Sequence, residues 1–542
     1  MAPASRAPAP ETQAAAPRAY LIGGGIAAMA AAAFMIRDGD MFGQNITILE
    51  ESGAIGGSLD GAGSPEAGYV LRGGRMLESK YLCTFALFDT IPTLDESQTV
   101  TQETLRWNET MKTSSKSRLF RNGQRQTAPK FGLTEGHILT IERLVLEPEA
   151  LLGRTTIAGQ FDDTFFQTDF WFMWCTTFAF QPWHSAVEFK RYLARFVHMV
   201  EGFDRLHGIM RTRYNQYDSL VRPLHKWLVQ RGVRFELDTA VTDLGFTTHN
   251  GTTSVESIAF RRPGVADRVA SRIAVTPRDY VLVTLGSMTE GSSLGAMDAA
   301  PRMGGKRDGD AWTLWEEIAD GRPEFGRPAA FANHVDQSKW VSFTTTLHDP
   351  TLLRLVRERT GNVPGEGGLV TFPDSPWLAS IVIPHQPHFI GQPDGVDVLW
   401  GYGLAVDRPG AFVAKPMADC TGREIMTELL GHLHIEAEAA GILDDCICIP
   451  CMMPFITSQF LPREKGDRPP VLVEGFHNLA FMGQFCEIPD DVVFTVEYSI
   501  RSAQLAVYGL LDLKLKPPGV YKGKFDPRVL LKAFRALHDL AA

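Results

Sequence analysis

Short, mostly apolar runs recur along the chain, each closed by glycine or by an acid, and they predict strands buried on both faces. AYLI (Ala19 to Ile22) stops at Gly23-Gly24-Gly25, NITIL stops at Glu50, YVLVTL stops at Gly286-Ser287, and LAFM stops at Gly483. After the first of these, Ile26 and Ala27 open an alanine-rich stretch, IAAMAAAAFMIRDG, that predicts a helix. Between 165 and 180 the pattern changes: FFQTDFWFMWCTTFAF carries more aromatic side chains than one amphipathic face can bury, so part is expected in a core and part along an apolar tunnel. EFKRYLARFVH predicts a helix bearing Phe189, Tyr192 and Phe196. FDPRVLLKAFRALHDLAA predicts another, started by Asp526 and Pro527, with Leu530, Ala533, Phe534, Leu537 and Leu540 on one stripe and Arg528, Lys532 and Arg535 outside it.

Strand, glycine turn, helix and second strand follow in the order a dinucleotide site needs. Gly23 allows the tight turn, Gly25 lets the backbone approach a pyrophosphate, Ala28 lets helix pack on strand, and Glu50 is placed to accept ribose hydroxyls. Directly after the acid, SGAIGGSLDG adds Gly57 and Ser58, and LRGGR (Arg72, Gly73, Gly74, Arg75) follows, a continuation suited to an elongated FAD. Val241 in RGVRFELDTAVTDL is expected against the adenine, and Thr495, beyond Gly483, is expected to cap a helix aimed at the isoalloxazine. No second glycine fingerprint opens a helix after a strand, which argues against a separate NAD(P)H domain.

Composition narrows the function classes. With 44% apolar and 21% charged residues the chain is globular, and no run approaches the roughly 18 apolar residues of a membrane span. A net charge of -10 argues against a nucleic-acid partner. Seven cysteines do not form a disulfide framework, so a cytoplasmic protein is expected. CICIPC (Cys446, Cys448, Cys451) and the HQPH histidines His385 and His388 are expected in core and loop, with no metal. Residues 1–17, rich in Ala and Pro, are expected to form a disordered tail.

From the glycine turn through RGGR, DFWFMWCTTFAFQPWHSAVEFKRY, YNQYDSLVRPL, LGSMTEGSS, WVSFTTTL and CTGREI to MMPFITSQFLPR and DVVFTVEYSIRSA, the chain resembles the FAD-containing oleate hydratases, also called myosin-cross-reactive antigens. The resemblance implies addition of water to the cis-9 double bond of oleate or a related unsaturated fatty acid, giving a 10-hydroxy acid without net redox. It implies Tyr192 as the proton donor, Arg72 and Arg75 as donors to FAD or neighbouring carbonyls, and Gln216 and His432 at the substrate carboxylate. Arg75 or Arg191 is expected to make the Tyr192 phenol more acidic; Tyr214 and Tyr217 are weaker candidates for the acid. Peripheral contact of the C-terminal helix with the inner membrane face is also implied, and monomer and homodimer both stay open.

Two departures qualify this. Most relatives read RGGRE, with a glutamate thought to activate the water, where this chain has Met76. Glu78 could take over, the flavin or backbone carbonyls could hold the water, or little base help is needed, because methionine cannot act as a base. Met426 and Glu428 replace polar, carboxylate-binding positions, and a glutamate there would repel a fatty carboxylate. The rival readings are a flavin-dependent fatty acid isomerase or oxidase and a non-catalytic flavin-containing lipid-binding protein. The expected fold is α/β: a discontinuous Rossmann-type FAD domain (18–130, 215–300, 475–510), a mixed α+β substrate-binding and lid region (131–214, 301–474) and a helical C-terminal segment (511–542).

Overall fold

The computed structural model describes residues 16–126, 130–262 and 271–539. The expected tail lies, through residue 15, outside the described residues, as does Leu540. The glycine- and acid-terminated runs meet in a parallel five-stranded sheet, in the spatial order Leu479–Met482, Tyr280–Thr284, Ala19–Ile22, Ile46–Leu49, Arg234–Glu236. Every residue of Ala19–Ile22 is buried, as a central strand covered on both faces must be. The helix Ile26–Arg37 is itself buried from Ile26 to Met35. Alanine favours helix and leaves little bulk, so Val496–Leu510 packs directly against it.

A three-stranded antiparallel sheet (Ala240–His249, Thr252–Arg261, Ser271–Ala274) lies apart from the parallel one. Its first hairpin closes at Asn250-Gly251, both with positive φ (52° and 79°), the two-residue turn whose twist matches the strands.

The second large unit is an eight-stranded sheet. Its strand Trp340–Leu347, buried throughout, pairs antiparallel with Asp397–Gly403 on one side and Cys446–Met453 on the other. Side chains divide by alternation. Thr345 touches Met426 of the helix Gly422–His432, in a core shared with Phe343 and Leu347. Ser342, Thr344 and Thr346 face a hairpin of Gly61–Ser64 and Gly68–Leu71, and the residue that follows it, instead. The Thr346 and Thr344 hydroxyls accept the Tyr69 and Leu71 N–H groups at 2.8 and 2.9 Å, so the hairpin is docked on the face of the sheet through side chains. The chain then runs into Arg72–Gly73–Gly74–Arg75 and the short strand Leu77–Glu78, paired with Ile209–Met210.

Leu119–Arg121 and Gln124–Gln126 also belong to the eight-stranded sheet, at the end opposite Ser293–Leu294. Segments 18–130 and 215–300 therefore contribute to both units rather than to the dinucleotide domain alone. The reason is pairing: these short strands find their ladder partners in the second sheet. Cys446, Cys448 and Cys451 lie along the strand Cys446–Met453, and all seven cysteines are buried and free.

The C-terminal helix Pro527–Leu537 begins where Asp526 accepts the Arg528 N–H, and it rests on Val197–Met199. It buries Ala533 but leaves Leu530 and Phe534 44% and 46% exposed. Among the described residues no helix is long and apolar enough to cross a membrane.

Replacing Thr344 by Val strands the buried Leu71 amide while leaving the bond between Tyr69 and Thr346 in place. The expected loss is about 1–3 kcal/mol of unfolding free energy, read from denaturant titration.

Candidate active site: a dinucleotide cleft beside an apolar pocket

Gly23 turns the chain at φ 97°, a conformation that side chains resist. Gly25 then begins the helix without a side-chain cap, so its first N–H groups are left for a ligand at the positive end of the helix. Glu50 ends the second strand with one carboxylate oxygen accepting the Gly24 N–H and the other accepting Ser52 N–H and Oγ–H at 2.8 and 2.6 Å. Gly23, Gly25, Ile26, Ala27, Glu50, Gly57, Ser58, Arg72, Val241, Gly286, Ser287 and Gly483 all line one cleft of about 760 Å³, within the range of about 300–1,000 Å³ usual for ligand sites. Ala28 lies behind the turn, fully buried. The buried Thr284 hydroxyl has no partner there, although Thr284 lines the same cleft. A glycine cradle, open helix amides, a carboxylate after the second strand and an unused hydroxyl are a donor and acceptor set that fits a dinucleotide.

The RGGR segment separates this cleft from an apolar pocket. Arg72 lies on the cleft side, ion-paired with Asp60 at 3.2 Å. Arg75 lies on the pocket side, over the Phe494 ring at 5.3 Å, and reaches back to the Ser58 carbonyl at 3.4 Å. Enclosure pushes its guanidinium down to about 10, and its Nε has no partner. Between the two arginines no side chain fits at Gly74, where a Cβ would stand 2.8 Å from the Trp400 ring.

The pocket holds Tyr192, Met76 and Glu78 together, walled by Phe178, Phe196, Trp340, Trp400, Tyr402 and Phe494. Tyr192 is 1% exposed and donates to the Val493 carbonyl at 2.6 Å. Burial first, then the charges of Tyr81, Glu188 and Asp491, holds its phenol well above the usual tyrosine range, with Arg75 acting weakly the other way. Glu78 is ion-paired with Arg195 at 2.8 Å, lies 3.5 Å from His198 Nε2, and accepts the Lys80 N–H at 2.7 Å. Burial raises its carboxyl, but the bond to His198 and the charge of Arg195 outweigh burial and hold it below the usual carboxylate range. One short surface thus presents a phenol that keeps its proton and a carboxylate that has lost its own.

A family model described as the MCRA family matches residues 16–508. The chain belongs to that family. It is 38% identical to an oleate hydratase of Streptococcus pyogenes serotype M49 over 97% of this chain and 90% of that protein. It is 33% identical to a linoleate hydratase of Lactiplantibacillus plantarum, over 96% and 98%. Among solved structures, putrescine oxidase bound to putrescine and cyclohexylamine oxidase from Brevibacterium oxydans IH-35A each superpose with a TM-score of 0.53. At 12% and 13% identity, each covers 92% of this chain and 99% of its own. Those likenesses show the fold alone: a mixed α+β, FAD-oxidoreductase-like architecture, here in an MCRA chain.

Several expected positions are relocated. His432 does not line the pocket; it bonds Glu428 at 3.2 Å and packs between Phe372 of the second core and the half-exposed Phe412. Glu428 likewise meets no substrate end, because it accepts the N–H groups of Ala411, Phe412 and Val413. Gln216 does line the pocket. Arg191 does not acidify Tyr192, since Glu149 and Glu487 engage it at 2.8 and 2.7 Å and burial dominates the phenol. Thr495 caps Val496–Leu510 by accepting the Tyr498 N–H, and it lines the pocket rather than the cleft. Tyr214 and Tyr217 lie outside the pocket lining. Within Phe165 to Phe180, Phe178 lines the pocket, whereas Phe165, Phe170 and Trp174 pack against one another in the core.

Sequence reasoning missed Trp400 and Tyr402, although their alternation on Asp397–Gly403 puts them on one face. It also missed Glu290, inside LGSMTEGSS. Glu290 lines the cleft, accepts the Ala311 N–H at 3.2 Å, and is pushed up to about 8 by burial and then by the charge of Glu51. A carboxyl whose folded value is raised binds its proton in the native state and not in the unfolded chain. Its contribution therefore falls as pH rises from the unfolded value through about 8. Glu290→Gln should flatten the fall in melting temperature between about pH 5.5 and 8.5; an unchanged slope would count against this protonation.

Proposed function

We propose that the protein is a fatty acid hydratase, adding water to the cis-9 double bond of oleate or a related unsaturated fatty acid to give a 10-hydroxy acid. The observation that carries this is a single one: a buried, protonated Tyr192 phenol shares an apolar, aromatic-walled pocket with the ionised Glu78, next to a dinucleotide cleft. The similarity to oleate and linoleate hydratases supports the substrate class.

The phenol O–H gives its proton to one alkene carbon and the neighbouring carbon becomes electron-deficient. Water adds there, and its extra proton leaves to a nearby acceptor and returns to the tyrosinate, so nothing is oxidised. Because burial destabilises the tyrosinate, that anion recovers its proton readily; the same burial makes the first transfer the difficult step. To donate, the phenol must exchange its bond to the Val493 carbonyl for the substrate. Met76 lines the pocket but offers no basic atom, and Glu78 is a weak base held by the Arg195 guanidinium and the His198 ring. Water attacking a cation needs little help, so both are compatible with turnover.

FAD is the dinucleotide this reading places in the cleft, held by Gly23, Gly25, Ile26, Ala27, Glu50, Gly57, Ser58, Arg72, Val241, Gly286, Ser287 and Gly483, with Gly73, Gly74, Arg75 and Thr495 at the boundary with the pocket. When bound, a flavin supplies a planar polar wall beside the pocket. Half-exposed Leu530, Leu531 and Phe534, with Arg528, Lys532 and Arg535 on the same helix, support peripheral docking on the membrane from which fatty acids are drawn.

Incubation with oleate in D₂O should yield a hydroxy acid carrying one non-exchangeable deuterium; bond migration or loss of hydrogen would indicate an isomerase or oxidase. Tyr192→Phe is expected to lower kcat by about 10²- to 10⁴-fold with the flavin absorbance retained. Full turnover in that variant would remove Tyr192 from the reaction.

A further inference from the structure

Next to the pocket lies a second cavity that shares Gly74, Arg75, Gln216 and Trp400 with it and adds Arg211, Thr212 and His388. Gln216 is 8% exposed, and both its amide oxygen and its amide nitrogen are buried without a partner among the described residues. So are Nε and Nη2 of Arg211 and Nδ1 of His388. No acidic side chain among the described residues is ion-paired with Arg211, whose guanidinium enclosure pushes down to about 10. Burial, and then the charge of Arg211, holds His388 at about 3, so its imidazole is neutral and available as a hydrogen-bond partner.

A buried guanidinium without a counter-ion is costly to maintain. Two unused N–H groups on its planar fork match the two oxygens of a carboxylate. Gln216 faces both cavities, so a molecule with an anionic head beside Arg211 and an apolar chain past Gln216 would enter the pocket that holds Tyr192. An ionised fatty acid has that form. The alternative head-group position around Glu428 and His432 is closed by their own bonds.

We propose that Arg211 anchors the substrate carboxylate, with Gln216 at the passage from the polar cavity to the apolar pocket, an assignment that rests on the fatty acid hydratase reading. The anchor also sets register: the number of carbons between Arg211 and Tyr192 decides which double bond meets the phenol.

The test compares oleate with oleyl alcohol on the flavin-loaded wild type, Arg211→Gln and Arg211→Lys. In Arg211→Gln, KM for oleate should rise on the order of 30-fold or more while that for oleyl alcohol stays within about twofold, and Arg211→Lys should recover part of the loss. Equal losses on both substrates, or none on either, would overturn the anchor. Tryptophan fluorescence, through Trp107 and Trp400 in the cavity wall, gives a second reading on the wild type alone. Decanoate should bind at least tenfold more tightly than decanol, about 1.4 kcal/mol, and equal binding overturns the proposal even if Arg211→Gln does not fold. A wild type that hydrates nothing yet prefers decanoate would sink the hydratase reading and leave the anchor standing.

Discussion

Two threonine hydroxyls on Trp340–Leu347 receive the backbone N–H groups of Tyr69 and Leu71, and the placement of the segment from Arg72 to Glu78 depends on that junction. Among the described residues the strand Gly68–Leu71 pairs with one neighbouring strand, so its other edge would be buried without partners were it not laid across polar side chains of a second sheet. An aliphatic strand would exclude it. With the hairpin docked, Arg72 to Glu78 has to run between the two large sheets, with one arginine on each side of a glycine pair that Trp400 crowds. Cleft and pocket therefore adjoin for a mechanical reason before any ligand is present.

The same pocket sets two acids in opposite states. Tyr192 meets a carbonyl and aromatic edges, which disfavour its anion, whereas Glu78 meets Arg195, His198 and a backbone N–H, which favour its own. The Tyr192 helix is fixed by charge: Glu188, fully buried and on the same face four residues before Tyr192, pairs with Arg463 and Arg468 at 3.1 and 2.9 Å, and Arg191 pairs with Glu149 and Glu487. Breaking one member of such a buried group leaves an uncompensated charge. That makes the helix Ala186–Phe196 a rigid mount, and it places the phenol by pinning the turn immediately before it.

Local patterns were legible where a short run of sequence decides the geometry. The turn at Gly23 to Ala28, the acid at Glu50, the Thr495 cap and the strands of the parallel sheet could all be read from neighbours within a few residues. Asn250-Gly251 carried an equally plain hairpin signal that went unread. What resisted was tertiary. Nothing near Glu428 in sequence announces the three loop amides that absorb its charge, and nothing near Arg211 says that no acid among the described residues comes to meet it. The aromatic segment misled in a different way: a dense run of rings names a core or a tunnel equally well, and only the direction of Phe178 against Phe165 separates them.

The parallel sheet draws its strands from four separate stretches of the chain, and the last, Leu479–Met482, is contributed more than four hundred residues after the first. Val496–Leu510, which covers the alanine helix, comes later still. During synthesis the growing polypeptide must carry the face of Ile26–Arg37 uncovered until that stretch has left the ribosome, so closure of the nucleotide unit is a late, long-range event. A chain built this way invites chaperone protection of its N-terminal third, a dependence that follows from topology rather than from any feature of the chemistry it performs.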